Sequence, residues 1–363
     1  MLIRNETPFA AMGFGQLHRD GTPMAVLCVR AGCGLDPDGS LHLAEDQAIV
    51  LNDVYEGDPL RTPLLRVGDL IPYKPAADVT LLGAAHAPNG RATRRWEVAL
   101  AIGDHGVRLR VHGPRSWEPA LAFLTPTWKL GTAELVTRVP LDYRYALGGR
   151  YVGDPDGGAD ARNLLGPGLL HREFSRVGKP CRAPQIDSAR APVDAPFARP
   201  LPQGFGPVPP FWSWRQAHAG TYDEAWQAAP ERRLPDDFDY RFYQTAHGDL
   251  VLPHIRGDEE LRLDGLVPGG GMLRVTLPGL AIVAHHHWLD GRQVHARLTL
   301  DGVHLDLRRD EGPWRVDLTW RGWVEACPAY DGAVLLPVRL ADADADGMPV
   351  SGEHGLREPE VIA

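Results

Sequence analysis

Along most of this chain apolar side chains recur at every second position, the period of a strand that turns one face to a core. In "WEVALAIGDHGVRLRVHG" (residues 96–113) the apolar set is Trp96, Val98, Leu100 and Ile102, then Val107, Leu109 and Val111 beyond a Gly-Asp-His-Gly turn. This predicts a hairpin with one buried face. "MAVLCVR" (24–30) and "ADVTLLGAAHA" (77–87) are apolar almost without interruption, as expected of central strands covered on both faces.

Alternation resumes at 280–288, 293–300, 303–309 and 314–321, separated by Asp290-Gly291, Asp301-Gly302 and Gly312-Pro313. Asp-Gly suits tight hairpin turns because Gly accepts positive φ, so the spacing predicts a four-stranded meander. Its inward positions are Val294, Ala296, Leu298 and Leu300, then Val303, Leu305 and Leu307, then Trp314, Val316, Leu318 and Trp320. The opposite positions, His295, Arg297, His304, Asp306, Arg308, Arg315, Asp317 and Arg321, mix both signs of charge and read as solvated or partner-facing.

Residues 148–214 show no sustained period and are dense in Gly and Pro, the pattern of loops. They also hold Phe174, Phe197, Phe205, Phe211, Trp212 and Trp214, which predicts an ordered, irregular segment lying over the rest. The organisation expected is an N-terminal β-rich lobe (1–147), this connecting segment (148–214), a C-terminal meander lobe (215–340) and a mobile, apolar-poor tail (341–363). The fold class is mainly β, with antiparallel sandwich-like lobes, long irregular Gly/Pro-rich loops and few short helices. The 40 glycines and 33 prolines among 363 residues fit short strands joined by many turns.

A net charge of −9 argues against the nucleic-acid backbone as main partner. No apolar run approaches the ~20 residues of a membrane helix, so no membrane insertion is expected. "MLIRNETPFAAMGF" lacks the features of a secretory signal, which places the protein in the cytoplasm. Cys28, Cys33, Cys181 and Cys327 form no C-x-x-C pair and read as reduced thiols, with no cofactor implied.

The candidate chemistry is sparse. In "HHH" (285–287) a strand puts His285 and His287 on one face, where His295 across a hairpin would complete a facial metal site; imidazoles on an exposed strand face are the plainer reading. "KPAADVTLLGAAHAP" offers Lys74, Asp78 and His86 as cation, carboxylate and base, yet a strand spreads them over more than ~20 Å, which favours a simple Lys74–Asp78 pair. Arg115 and Arg215 stand beside aromatics, as clamps or binding hot spots do. In "GTYDEAWQAAPERRLPDDFD" (220–239) Thr221 is expected to cap a helix from Tyr222 to Ala228, with Glu224 completing a capping box. Asp223 with Asp236 or Asp237 is alternatively an acid and base pair in a glycosidase-like cleft. No G-x-S-x-G, P-loop or H-E-x-x-H occurs.

Taken in order, "KPAADVTLLGAAHAP", "GPRSW" (113–117), "PLDYRYALGG" (140–149), "GDPDGG" (153–158), "PQGFGPVPPFWSWRQAHAGTYDEAW" (202–226), "LPDDFDYRFYQTA" (234–246), "IRGDEELRLDGL" (255–266) and "LRVTLPG" (273–279) resemble the bacterial domain-of-unknown-function family DUF2169, found in type VI secretion gene clusters. The resemblance spans about residues 10–325. It departs from the family at Gly153-Asp154-Pro155 and at "CRAPQIDSARAP" (181–192). The resemblance implies a non-enzymatic adaptor or chaperone that holds a toxic protein effector and helps load it onto the spike tip formed by VgrG and PAAR proteins. It supplies no catalytic residues. Structural or partner-binding roles are expected for Lys74, Asp78, His86, Arg115, Trp117, Arg215, Gly220, Thr221, Tyr222, Asp223, Trp226, Asp237, Phe238, Gly257, Asp258 and Glu259. Two other readings stand beside it: a β-rich hydrolase acting on carbohydrate with an acidic site in 215–239, and a structural component of the secretion assembly.

Overall fold

The computed structural model describes residues 1–229, 233–308 and 314–342. The chain is mainly β, and the described residues form several antiparallel sheets with no closed barrel and two short α-helices, Ser213–Gln216 and Glu224–Ala228. The largest sheet has seven strands. Its path runs Val251–Leu252, Ala77–Leu82, Thr299–Asp306, Trp314–Glu325, Pro23–Leu35, Ala10–Leu17, with Leu41–Leu43 paired to Pro23–Leu35 off the path. Ala77–Leu82 and Thr299–Asp306 are parallel, with Asp78 opposite Gly302; the other neighbours are antiparallel.

At the centre Pro23–Leu35 and Trp314–Glu325 pair over their whole common length, from Trp314 opposite Leu35 to Glu325 opposite Met24. Every residue from Met24 to Leu35 is buried, so the nearly continuous apolar run at 24–30 does lie in a strand covered on both faces, and the strand continues beyond it to Leu35. A five-stranded sheet contains Ile186–Ser188, His105–His112, Arg95–Ile102, Glu260–Asp264 and Met272–Thr276 in that order, and a four-stranded sheet contains Leu2–Asn5, Tyr330–Arg339, Leu280–Trp288 and Gln293–Arg297. These three sheets share one hydrophobic core. Each draws strands from both ends of the sequence, so their pairings cross the divisions expected at residues 147 and 215.

The 96–113 hairpin forms as expected, with Trp96, Val98, Leu100, Ile102, Val107, Leu109 and Val111 buried. The C-terminal meander is corrected by the structure. Asp301-Gly302 is no turn: it lies inside Thr299–Asp306, where the register slips between Leu300 and Gly302. Gln293–Arg297 and Thr299–Asp306 belong to different sheets, so the chain changes layers at Leu298. Val294 faces outward. Asp317 and Arg321, expected on a solvated face, are buried because that face is covered. The Gly312-Pro313 turn and the tail from residue 343 lie outside the described residues.

Residues 148–214 are ordered against the sheets. Phe205 and Trp212 are fully buried in the main core, and the Leu81 amide donates to the Phe205 carbonyl at 2.7 Å. Glycine is required where the irregular backbone folds back on itself. At Gly149, φ is 90° and a Cβ would sit 2.1 Å from the Gly166 oxygen, a placement open only to a residue without a side chain.

Candidate functional site

Most residues singled out in sequence fall into four separate fasteners and one smaller turn, and the first fastener centres on Asp78. Its Oδ2 accepts from Lys74 Nζ at 2.7 Å, from the Thr245 amide at 2.7 Å and from the Thr245 hydroxyl at 3.0 Å, while Oδ1 accepts from Gln244 Nε2 at 2.6 Å. The expected Lys74–Asp78 pair is therefore present and buried. It pins residues 244–245 to Ala77–Leu82, the strand next to the edge of the seven-stranded sheet. His86 takes no part, because the strand breaks at Gly83 and Ala84–His86 pairs with Arg138–Pro140 in another sheet.

Arg215 and Arg115 form the second and third. Arg215 is buried, its Cζ 4.9 Å from the centre of the Phe242 ring, with Nε donating to the Phe242 carbonyl at 2.7 Å and a terminal nitrogen to the Val208 carbonyl at 3.1 Å. The ring it stacks on is Phe242 rather than a neighbouring aromatic in sequence, and its donors hold backbone carbonyls. Arg115 donates to the Pro184 carbonyl at 2.7 Å and to Asp187 Oδ2 at 3.1 Å. The same carboxylate oxygen accepts from the Val193 amide and meets His112 Nε2 at 3.2 Å. Trp117 is buried beside Trp128 in a smaller hydrophobic cluster.

The 220–239 stretch is the fourth. Asp223, not Thr221, caps the helix, its side chain accepting from the Trp226 amide at 2.9 Å. Thr221 is engaged elsewhere: its amide and hydroxyl donate to Asp237 at 2.9 and 2.7 Å. Gly220, at φ 77°, lies under Asp237 and Pro235, where a Cβ would approach both to 2.9 Å. Tyr222 and Trp226 meet edge to face at 4.7 Å, Trp226 Nε1 donates to the Arg233 carbonyl at 2.7 Å, and Phe238 is buried. The Thr221 hydrogen bonds hold the Asp237 carboxyl below its usual range, which is the wrong direction for a general acid. A fifth, smaller turn closes where Glu259 accepts from the Arg256 and Gly257 amides at 2.7 and 2.9 Å, with Asp258 exposed beside it.

Sequence reasoning missed a charged network on the seven-stranded sheet. Arg30 bridges Asp69 at 3.1 Å and Asp317 at 2.9 Å; Arg321 contacts Asp69 at 3.1 Å and pairs closely with Asp301. Arg315 ties Asp317 to Asp46 at 2.7 and 2.9 Å. Burial opposes the charge on Arg321, and Asp301 and Asp69 outweigh it. Burial likewise opposes ionisation of Asp317, yet Arg30 and Arg315 hold its carboxyl below the usual range. Arg30, Asp69, Lys74, Asp78, His304 and Arg321 surround a cavity of about 40 Å³, the size of a water or two and too small for a substrate. The only sequence signal was charge at positions that alternate with buried apolar ones.

The metal candidates do not converge. His285 and His295 stack at 4.0 Å between ring centres, while His287 faces Asp331 at 3.4 Å. Among the described residues no group of three His, Cys, Asp or Glu is placed to hold an ion. All four cysteines are free, and burial pushes the Cys28 thiol to about 12 and Cys33 to about 11, so neither is a nucleophile at neutral pH.

A family model described as an uncharacterized protein conserved in bacteria (DUF2169) matches residues 20–321. The chain belongs to that family. No curated protein and no solved structure matches it. Among the described residues no helix is long and apolar enough to cross a membrane.

One further element escaped the sequence reading. Ser116–Ala122 and Thr125–Leu130 form a hairpin, joined at its root by Cys181–Arg182. The signal was present as two alternating runs, Trp117-x-Pro119-x-Leu121 followed by Pro126-x-Trp128-x-Leu130. It lacks the Asn-Gly or Asp-Gly that marks a two-residue hairpin turn.

Proposed function

We propose that the protein is a non-enzymatic adaptor of a bacterial type VI secretion system, which binds a toxic effector in the cytoplasm and helps load it onto the VgrG and PAAR spike tip. The resemblance of eight ordered motifs to DUF2169 supports this reading. The observation that carries it is how the motif side chains are used. Asp78, Arg115, Arg215 and Asp237 each bond segments of the same chain, so these residues maintain a surface rather than present a reactive group. Polar side chains engaged in this way suit a binding protein better than a hydrolase, whose acid needs a raised pKa and an open cleft.

Co-expression with the toxin encoded beside this gene tests the reading. The toxin should become soluble and co-purify with this protein, and it should reach the spike proteins only in its presence. Unchanged toxin solubility together with no recovery of a complex would remove the adaptor reading.

A further inference from the structure

We propose that the 116–130 hairpin is a docking element, which inserts Phe123 and Leu124 into an apolar pocket of a partner protein whose pocket rim is acidic. The tip is the most exposed apolar feature of the described chain: Leu121 is 70%, Phe123 104% and Leu124 90% exposed. Ala122 pairs with Thr125, so the turn is Phe123-Leu124 alone, with φ of 49° and 72°. Positive φ at both positions suits Asn and Gly and strains Phe and Leu. Strained, exposed, bulky apolar residues at a turn point to a use for their side chains.

The register tells how the hairpin is used. The Gly131 amide donates to the Ser116 carbonyl, which sets the phase of the ladder. Glu118–Lys129, Ala120–Thr127 and Ala122–Thr125 are then the hydrogen-bonded pairs, and Trp117–Leu130, Pro119–Trp128 and Leu121–Pro126 are the pairs whose amide positions point outward. Both hairpin prolines thus occupy outward amide positions, one on each open edge. Proline there blunts an edge against strand addition. The contact surface is the tip and the face it continues, on which Leu121 and Pro126 extend the line of the buried Trp117 and Trp128.

Charge selects the kind of partner. The hairpin carries Glu118 and Lys129, which pair across the strands at 3.5 Å and leave it neutral. A cleft of about 620 Å³ opens at the root, lined by Arg94, Arg95, His112, Arg115, Leu130 and Leu135 among others and by no acidic residue. Arg95 makes no hydrogen bond or ion pair among the described residues. Seven strand residues at ~3.3 Å each put these cations ~20 Å behind the tip, about two Debye lengths at physiological salt. A lipid surface touched by the tip would gain nothing from them, whereas a folded partner that takes in the hairpin to its root meets them with carboxylates.

That the partner is the effector or a spike protein rests on the adaptor reading. The test uses the full chain co-expressed with the neighbouring toxin, VgrG and PAAR. A Phe123→Asn, Leu124→Gly double variant suits the turn, so it should melt at the same or a higher temperature while binding its partner about thirtyfold more weakly, the scale of a lost hot spot. A benzoylphenylalanine photo-crosslinker at position 123 should label that partner, and one at Leu60, exposed elsewhere, should not. Equal binding by wild type and double variant overturns the docking role and leaves the adaptor reading standing. Binding by neither removes both. Crosslinks confined to a second copy of this chain, or Phe123-dependent sedimentation with phosphatidylglycerol vesicles, would assign the tip to another occupant and overturn the proposal.

Discussion

Asp78 and Thr245, 167 positions apart, are joined twice: one carboxylate oxygen of Asp78 accepts from both the amide and the hydroxyl of Thr245. The same oxygen neutralises the buried Lys74. Asp78→Ala strands that ammonium and three donors, the amide and hydroxyl of Thr245 and the Gln244 side-chain amide, and should cost about 3–5 kcal/mol. Denaturant titration should show a lower midpoint at unchanged slope. A cost under ~1 kcal/mol would mean that the site relaxes and the fastening is unimportant.

Arg321 sits between Asp69 and Asp301. Arg321→Met leaves buried Asp301 without its paired cation and buried Asp69 with Arg30 alone, and should destabilise the fold by about 3–5 kcal/mol at neutral pH. Because the stranded carboxylates are relieved by protonation, the deficit should shrink as the pH is lowered. A deficit independent of pH would show that packing, not charge, sets the cost.

Burial lowers the pKa of His304 to about 4, and burial also lowers His286 to about 4. Both rings are neutral when folded, and the unfolded chain takes up their protons near the ordinary histidine value of about 6.5. Between these limits the unfolded state binds more protons, so stability is fully present above about 6.5 and falls as the pH drops towards 4. His304→Gln should flatten that part of the profile, read by denaturant titration across the window. Asp317 acts lower: its carboxyl is held below the usual range, so its contribution is present above that range and is lost only on further acidification.

Asp223 caps the helix Glu224–Ala228. Asp223→Ala should cost about 1 kcal/mol and, under the adaptor proposal, leave binding of a co-expressed toxin unchanged. An Asp223→Asn or Asp237→Asn protein that folds as wild type yet loses a hydrolytic turnover the wild type possesses would return the 220–239 stretch to catalysis.

The 96–113 hairpin and the strand over 24–30 were legible because their signals are local: a period of two, a turn, an almost uninterrupted apolar run. The continuation of that strand through Gly32 and Gly34 to Leu35 was not, because glycines there look like a turn. Asp301-Gly302 was misread for the same reason. Its turn propensity is local, and it yields to a buried partner, Arg321, on the adjacent strand. The charged network was illegible because its pairs are distant in sequence, Arg30 with Asp317 and Arg321 with Asp69 being 287 and 252 positions apart. A charge at an alternating position reads as solvated until something is known to cover it. The Phe123-Leu124 tip went unseen because its turn breaks the rule by which such turns are recognised.

The pairing of Pro23–Leu35 with Trp314–Glu325 also orders events in time. Of the two, Pro23–Leu35 leaves the ribosome first, and the neighbour that covers one of its edges is not made until some 300 residues later. Until then a long apolar strand waits with an unmatched side, the condition under which newly made chains aggregate. Contacts this remote in sequence make for slow folding. Ribosome-bound chains halted short of Trp314 should therefore remain protease-sensitive across residues 23–35, and the central sheet should close only once Trp314–Glu325 has been made.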